Sequence, residues 1–357
     1  MKSTEKHTTR NVIENCFFVF GTSQGQDIFP LLFESLRRGK KTWVCFFDSL
    51  YKKRQLADYT ADEVKCFFSR RCIELGIDQP TVNFYGKKDS KKFEEDYKEN
   101  NPEFVFVQEI KPKYPLWYPK APNSRIIHLA WWDESHHLKD PLINPEFSIL
   151  KRKTDEIYYS GYETKYFGNL RLDHLKYAET KSKQKTCFIP ETYLRMGSHS
   201  SDSKKVANFC QELISFLHKE GFKVIWKKRE KGYPRENWAS PLDFCSEQPD
   251  VIIEKDLNFP SSLISEAYTS DVCLVVNDCF AFFDLIEVNS NVKILTTPGG
   301  RAHKIHKFFL PQYSDYIIDM KNESGWTALK KSLSQRNLNS CGIENTAGKI
   351  IDYLEEN

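Results

Sequence analysis

Short apolar runs alternate with longer amphipathic ones along most of this chain. Residues 16–20 (CFFVF) are apolar throughout and bounded by polar segments, the pattern of a strand buried on both faces. A polar stretch with two glycines follows (GTSQGQD), then a run from 28 to 38 with apolar positions at helical spacing, Gly39 as its stop, and a second strand at 42–47. The alternation predicts a helix over 61–75, a strand at 82–85, a highly charged helix over 87–100, strands at 104–108 and 125–130, and a further strand at 156–160. Residues 178–184 (AETKSKQ) carry no apolar periodicity and read as a linker. After it the pattern restarts: strand 186–189, helix 204–220, strands 222–226 and 250–253, helix 261–267, strand 272–276. Asn277 and Asp278 break that strand. Phe280, Phe283, Asp284 and Glu287 then fall at helical spacing, and strands at 292–295 and 316–319 and helices over 325–334 and 344–355 complete the chain.

Two successive blocks of alternating strands and helices predict an α/β fold of two doubly wound, parallel-sheet (Rossmann-like) domains facing a cleft. The first domain spans 1–178 and takes back the C-terminal helix, 344–357; the second spans 179–343. A chain of 357 residues holds two such cores. The stretch 265–297 is the organising unit: its strand–turn–helix places a polar turn and a helix start at the carboxyl edge of a sheet, where open α/β folds bind nucleotides. An ordinary core unit with a polar turn has the same pattern.

Composition narrows the function classes. The net charge is +3, with Lys and Arg nearly balanced by Asp and Glu, so nucleic acid is not an expected partner. No apolar run approaches the length of a membrane helix, and the N-terminus lacks the apolar core of a secretory signal, so a soluble, cytoplasmic protein is expected. The 10 cysteines show no CxxC pair and sit in apolar contexts, as buried reduced thiols do.

Candidate chemistry lies in five polar stretches. GTSQGQD follows the first strand; it is not a GxGxxG fingerprint, but Gly21 and Ser23 suit a wall facing a substrate. WWDESHHLK (131–139) offers Asp133, Glu134, His136 and His137 as general bases for a hydroxyl proton, with Lys139 to balance charge, or else a solvated loop. In GNLRLDHL (168–175), Arg171 and Asp173 could face the cleft or form a surface ion pair. In IPETYLRMGSHSSDS (189–203), Thr192 and Arg195 could contact phosphate, as could Lys228 in WKKREKG (226–232), although a charge run is usually solvated. Zincin, nucleophile-elbow, P-loop and kinase signatures are missing, as is a clear acidic metal motif. Chemistry without a metal or other cofactor is expected, with cationic side chains and helix starts carrying phosphate charge.

Taken in order, these stretches resemble elements of the CDP-glycerol glycerophosphotransferase-like group of GT-B transferases. GNLRLDHL resembles the GxPRxD element that ends that group's first domain. TSDVCLVVNDCFAFFDLIEVNSNVKIL is similar to its SDxLITDYSSxxFDF element at Ser270, Asp271, Asp278, Phe283 and Asp284. WWDESHHLK resembles its WHGxxLK element at Trp132, Leu138 and Lys139, and IPETYLR its APTWR strand end. The resemblance implies a GT-B fold, a donor on the second domain and an acceptor on the first. Asp133–Glu134 stand where the group has His–Gly, and Cys279–Phe280 where it has paired serines. These departures favour a nucleotide-sugar donor over CDP-glycerol, as in the GT-B transferases of surface polysaccharides. On this reading Asp278 meets the diphosphate or ribose, Asp284 the ribose, Arg195 and Lys228 the leaving diphosphate, and Asp133 deprotonates the acceptor. The partners implied are a nucleotide-sugar donor and a glycan or lipid-linked glycan acceptor, the latter bringing the protein to the periphery of a membrane. Transfer of a polyol phosphate, and a non-catalytic glycan-binding module of the same fold, are the alternatives.

Overall fold

The structure, a computed structural model, describes residues 13–19, 25–47, 60–86, 88–108, 124–130, 145–159, 161–178, 184–191, 194–195, 200–228, 238–254, 259–277, 281–297, 311–335 and 344–357. The chain forms two compact units, Met1–Leu170 with Asn345–Asn357, and Arg171–Glu344.

The first unit alternates β1 (Asn15–Val19), α1 (Gly25–Arg37), β2 (Thr42–Phe47), α2 (Ala61–Leu75), β3 (Thr81–Tyr85), α3 (Ser90–Asn100), β4 (Phe104–Val107), β5 (Arg125–Leu129), β6 (Phe147–Ile149) and β7 (Thr164–Lys165). The strands make one parallel sheet in the order β3-β2-β1-β4-β5-β6-β7. The chain moves outward from β1 to β3, returns to the other side of β1 as β4, and continues outward, so the order reverses between β1 and β4. β1, β2 and β4 are buried at every position, as helix-covered parallel strands must be. Aromatic side chains fill one face: Phe18, Trp43, Phe47, Tyr85, Phe93 and Tyr97 belong to one buried cluster, and the Trp43 and Phe93 rings stack 6.2 Å apart. Removing each such side chain from water is worth roughly 1.5–3 kcal/mol. α2 begins at a reciprocal capping box, Thr60 with Glu63, and ends at Gly76 in the left-handed conformation.

One expected element is corrected here. Residues 153–158 form a 3-10 helix rather than a strand at 156–160. The Arg152–Asp155 pair, 3.1 Å apart at i,i+3, suits a helical turn, and this outweighs the β-propensity of the Ile-Tyr-Tyr run. The flanking strands β6 and β7, of three and two residues, are too short to show a period.

The second unit contains β8 (Thr186–Pro190), β9 (Leu194–Arg195), α4 (Ser200–Lys219), β10 (Lys223–Lys227), β11 (Trp238–Ala239), β12 (Val251–Ile253), α5 (Ser262–Thr269), β13 (Val272–Val276), α6 (Ala281–Val288), β14 (Val292–Thr296), β15 (Ile317–Asp319) and α7 (Glu323–Leu333). Its parallel sheet runs β12-β10-β8-β13-β14-β15, with the reversal between β8 and β13; β9 and β11 form a small antiparallel ribbon. One core face joins Trp226, Leu274, Val276 and Leu295 to the apolar stripe of α4 (Val206, Phe209, Leu213, Leu217).

The last helix, α8 (Thr346–Glu356), belongs to the first unit and packs on α1. Ile350, Ile351 and Leu354 are buried, and Arg38 reaches Asp352 at 2.6 Å and the Gly348 carbonyl at 3.2 Å. Two Rossmann-like units with a returning C-terminal helix is the architecture that the alternating pattern implies. The units divide after Leu170, not within the lysine-rich linker. The 3-10 helix Leu170–Tyr177 is anchored in the second unit, where Nδ1 of buried His174 accepts from the Ser261 N–H at 2.9 Å. Among the described residues no helix is long and apolar enough to cross a membrane.

Candidate functional site

In the second unit every strand of the large sheet points its carboxyl end to one edge, and polar side chains lace the segments leaving that edge. Glu191, directly after β8, is buried; its Oε2 accepts from the Trp226 indole at 3.0 Å and from the Ser240 hydroxyl at 2.6 Å. One carboxylate thus joins the ends of β8 and β10 to the segment after β11. Asn277, directly after β13, adopts φ +59°, the left-handed region that asparagine tolerates better than most residues. Its Oδ1 accepts from both the backbone N–H and the hydroxyl of Thr297, each at 3.0 Å, tying the end of β13 to the end of β14. Thr296 donates in turn to Asp319 at the end of β15, 3.0 Å away. The rim therefore has a rigid base. Asn277 ends β13 beside the reversal between β8 and β13, the position where doubly wound sheets take ligands.

The structure brings only part of the expected site together. Gly21, Ser23, Asp133, Glu134, His136, Lys139, Thr192 and Asp278 lie outside the described residues. Arg195 is placed by its backbone in the β9–β11 ribbon, opposite Trp238. Lys228 stands just past β10, half-buried, with its ammonium 2.8 Å from Glu254; that hydrogen bond raises its pKa above the usual lysine value. Its neighbour Lys227 is buried.

Arg171 and Asp173 do not form a surface ion pair. Both are buried: Arg171 pairs with Asp284, and Asp173 lies 3.6 Å from Lys176. Asp284, in the first turn of α6, is only 3% exposed. Its carboxylate, expected at a ribose, instead joins α6 to the 3-10 helix. The first turn also suits the charge, because a carboxylate there faces the positive end of the helix dipole.

Sequence reasoning missed Glu191, Ser240, Asn277 and Thr297. Glu191 stood inside a motif attributed to Thr192 and Arg195, and its partners Trp226 and Ser240 are remote in sequence. The signal for Asn277 was present, as an asparagine ending an apolar run, but was read only as a strand break. The described cysteines are all free, and all but Cys66 are buried. Burial pushes Cys245 up to about 11 and Cys187 and Cys210 well above the ordinary thiol value, which rules them out as ready nucleophiles. No group of His, Cys, Asp or Glu among the described residues is arranged to hold a metal ion.

No family model and no curated protein matches the chain by sequence. Solved structures do match by shape. A protein assigned as a UDP-N-acetylglucosamine 2-epimerase from Listeria monocytogenes superposes with a TM-score of 0.58 over 97% of both chains, at 12% identity. MurG from Acinetobacter baumannii matches at a TM-score of 0.46 and 9% identity, covering 96% of this chain and 99% of its own. The E. coli heptosyltransferase WaaC, solved with ADP-2-deoxy-2-fluoro heptose, matches at 0.40 and 13%, covering 96% of this chain and 99% of its own. At 12% identity the likeness to the first of these is one of fold, and the fold is of the GT-B type.

Proposed function

We propose that this protein is a glycosyltransferase that moves a sugar from a nucleotide-activated donor to a hydroxyl of a glycan or glycoconjugate acceptor, without a metal. The observation that carries the reading is the turn at Asn277. Asn277, left-handed and pinned to Thr297, stands at the reversal of the second sheet, and α6 begins four residues later in the chain, at Ala281. A turn of this kind exposes backbone N–H groups that suit a diphosphate. Asp278 would contact the diphosphate or ribose. The ribose role proposed for Asp284 passes to it, because Asp284 is engaged by Arg171. Thr192 and Arg195, on the segment after β8, and Lys228, released from Glu254, would bind the leaving diphosphate, whose charge must be stabilised as the bond to the sugar breaks. The base that takes the acceptor proton is proposed among Asp133, Glu134 and His136 of the first unit, with Asp133 preferred; Lys139 would balance its charge.

The test is a thermal-shift panel of CDP, UDP, GDP, dTDP, CMP and NAD. Ligands that bind the native state raise its midpoint by mass action. The expected result is a selective shift with one nucleoside diphosphate other than CDP, followed by transfer from the matching nucleotide sugar. Asp133→Asn should then cut turnover on the order of a hundredfold or more while leaving nucleotide affinity within about twofold. A response to CDP and CMP alone would instead indicate transfer of a polyol phosphate, as the motif resemblance allows. Nucleotide binding without transfer would indicate a binding module. No shift with any nucleotide would sink the donor site.

A further inference from the structure

A second polar constellation lies in the first unit, at the matching place in its sheet. Asp27, in the first turn of α1, Gln108, directly after β4, and Lys151, two residues after β6, come from three separate segments at the carboxyl edge. Their relative exposures are 2%, 1% and 7%. The Gln108 amide donates to Asp27 Oδ2 at 2.5 Å, and the Lys151 ammonium lies 3.0 Å from Asp27 Oδ1. α1 follows β1, and Gln108 follows β4, so the amide bridges the reversal between β1 and β4, where a ligand of a doubly wound sheet sits.

Burying an ion pair is costly, and hydrophobic residues of similar volume often serve stability as well or better. The cluster also leaves one group unsatisfied: Gln108 Oε1 is buried and has no hydrogen-bond partner among the described residues. A buried polar atom of this kind destabilises the fold unless something binds it. The donor that completes it need not be an ion, because Oε1 is an uncharged amide oxygen, and a neutral hydroxyl matches it.

We propose that Asp27, Gln108 and Lys151 form a binding site for a neutral polyhydroxylated compound, a sugar or polyol, whose hydroxyl donates to Gln108 Oε1. Asp27 orients the Gln108 amide by taking its N–H, and Lys151 pairs with Asp27. The site belongs to the first unit and the nucleotide rim to the second. Calling its ligand the sugar acceptor rests on the transferase reading; the binding itself does not.

The experiment uses the full-length protein without nucleotide, titrated with glycerol, glucose and N-acetylglucosamine. Ligand-observed NMR measures affinity, and hydrogen–deuterium exchange locates the contact. At least one probe is expected to bind saturably and to slow exchange in residues 25–37 and 104–108. Gln108→Met should weaken that binding tenfold or more and leave the nucleotide-induced thermal shift unchanged. Absence of saturable binding by all three, protection confined to 184–335, or undiminished affinity in Gln108→Met would each overturn the proposal. If that variant does not fold, the wild-type titration and exchange map decide alone. A failed nucleotide panel with intact sugar binding would sink the transferase reading and leave this site standing; the converse result would do the opposite.

Discussion

At the scale of single residues, the second unit depends on charges taken out of water in partnership. Arg171 and Asp284 are both nearly inaccessible, so removing either takes a charged partner from a group that stays buried. Arg171→Met and Asp284→Asn should each destabilise by about 3–5 kcal/mol, whereas Arg171→Met with Asp284→Leu should recover part of that loss. Urea melts of the three variants check this, and single-variant losses below about 1 kcal/mol would mean the pair is solvated. His218 behaves differently because it is closer to solvent. Burial lowers its pKa, but Glu247, 2.6 Å from Nδ1, and Asp250, 3.1 Å from Nε2, together raise it above the ordinary 6.5. A raised folded value means the protonated form stabilises the fold. That stabilisation is complete below about 6.5 and lost as pH climbs through the folded value. On the acid side, the lowered pKa of Glu247 keeps its share present above the ordinary 4.5, to be lost as pH falls further. His218→Gln should therefore cost most near pH ~6 and least near pH ~9. A urea-midpoint difference that stays constant between those values would contradict the sign. None of this pairing was legible in the sequence. Arg171 was weighed against Asp173, two residues away, while its partner lies 113 residues on.

At the scale of elements, the strands and most helices were legible, because a parallel sheet covered on both faces needs continuous apolar runs and its helices need apolar stripes. Segments without such a burden escaped: the 3-10 helix at 153–158 and the two-residue strands β7, β9 and β11 bury too little to leave a pattern. Close packing also sets residue identity where periodicity says nothing. A Cβ on Gly325, near the start of α7, would run into the Asp319 carbonyl oxygen and lie 3.0 Å from Met320 Cα. Both are backbone atoms at the end of β15, and they cannot turn aside as a side chain could. Gly325→Ala should cost about 1–3 kcal/mol despite the better helix propensity of alanine. A thermal melt in which that variant equals or exceeds wild type would show that β15 and α7 can move apart.

At the scale of the whole molecule, the first unit is discontinuous and closed by the last 13 residues, whereas the second is one uninterrupted segment. α8 covers α1 with buried Ile350, Ile351 and Leu354, and its acidic residues reach Arg38 and Lys40. Deleting 345–357 should therefore loosen the first unit selectively. Hydrogen exchange is expected to accelerate through 25–47 and 104–107 and to stay slow through 186–190 and 272–276. Uniform acceleration, or none, would contradict that division.

The chain's own order of apolar and polar residues determined the two blocks of alternating strands and helices, and with them two parallel sheets, because burial imposes a local period on each element. It also marked the ends of strands as the places to look for chemistry. Tertiary structure alone decided which polar groups meet there. Glu191 with Trp226 and Ser240, Asn277 with Thr297, Arg171 with Asp284, and Asp27 with Gln108 and Lys151 are each joined across loops or crossovers. A hydrogen bond depends on separation in space, and a parallel sheet brings its carboxyl ends together however far apart they lie along the chain.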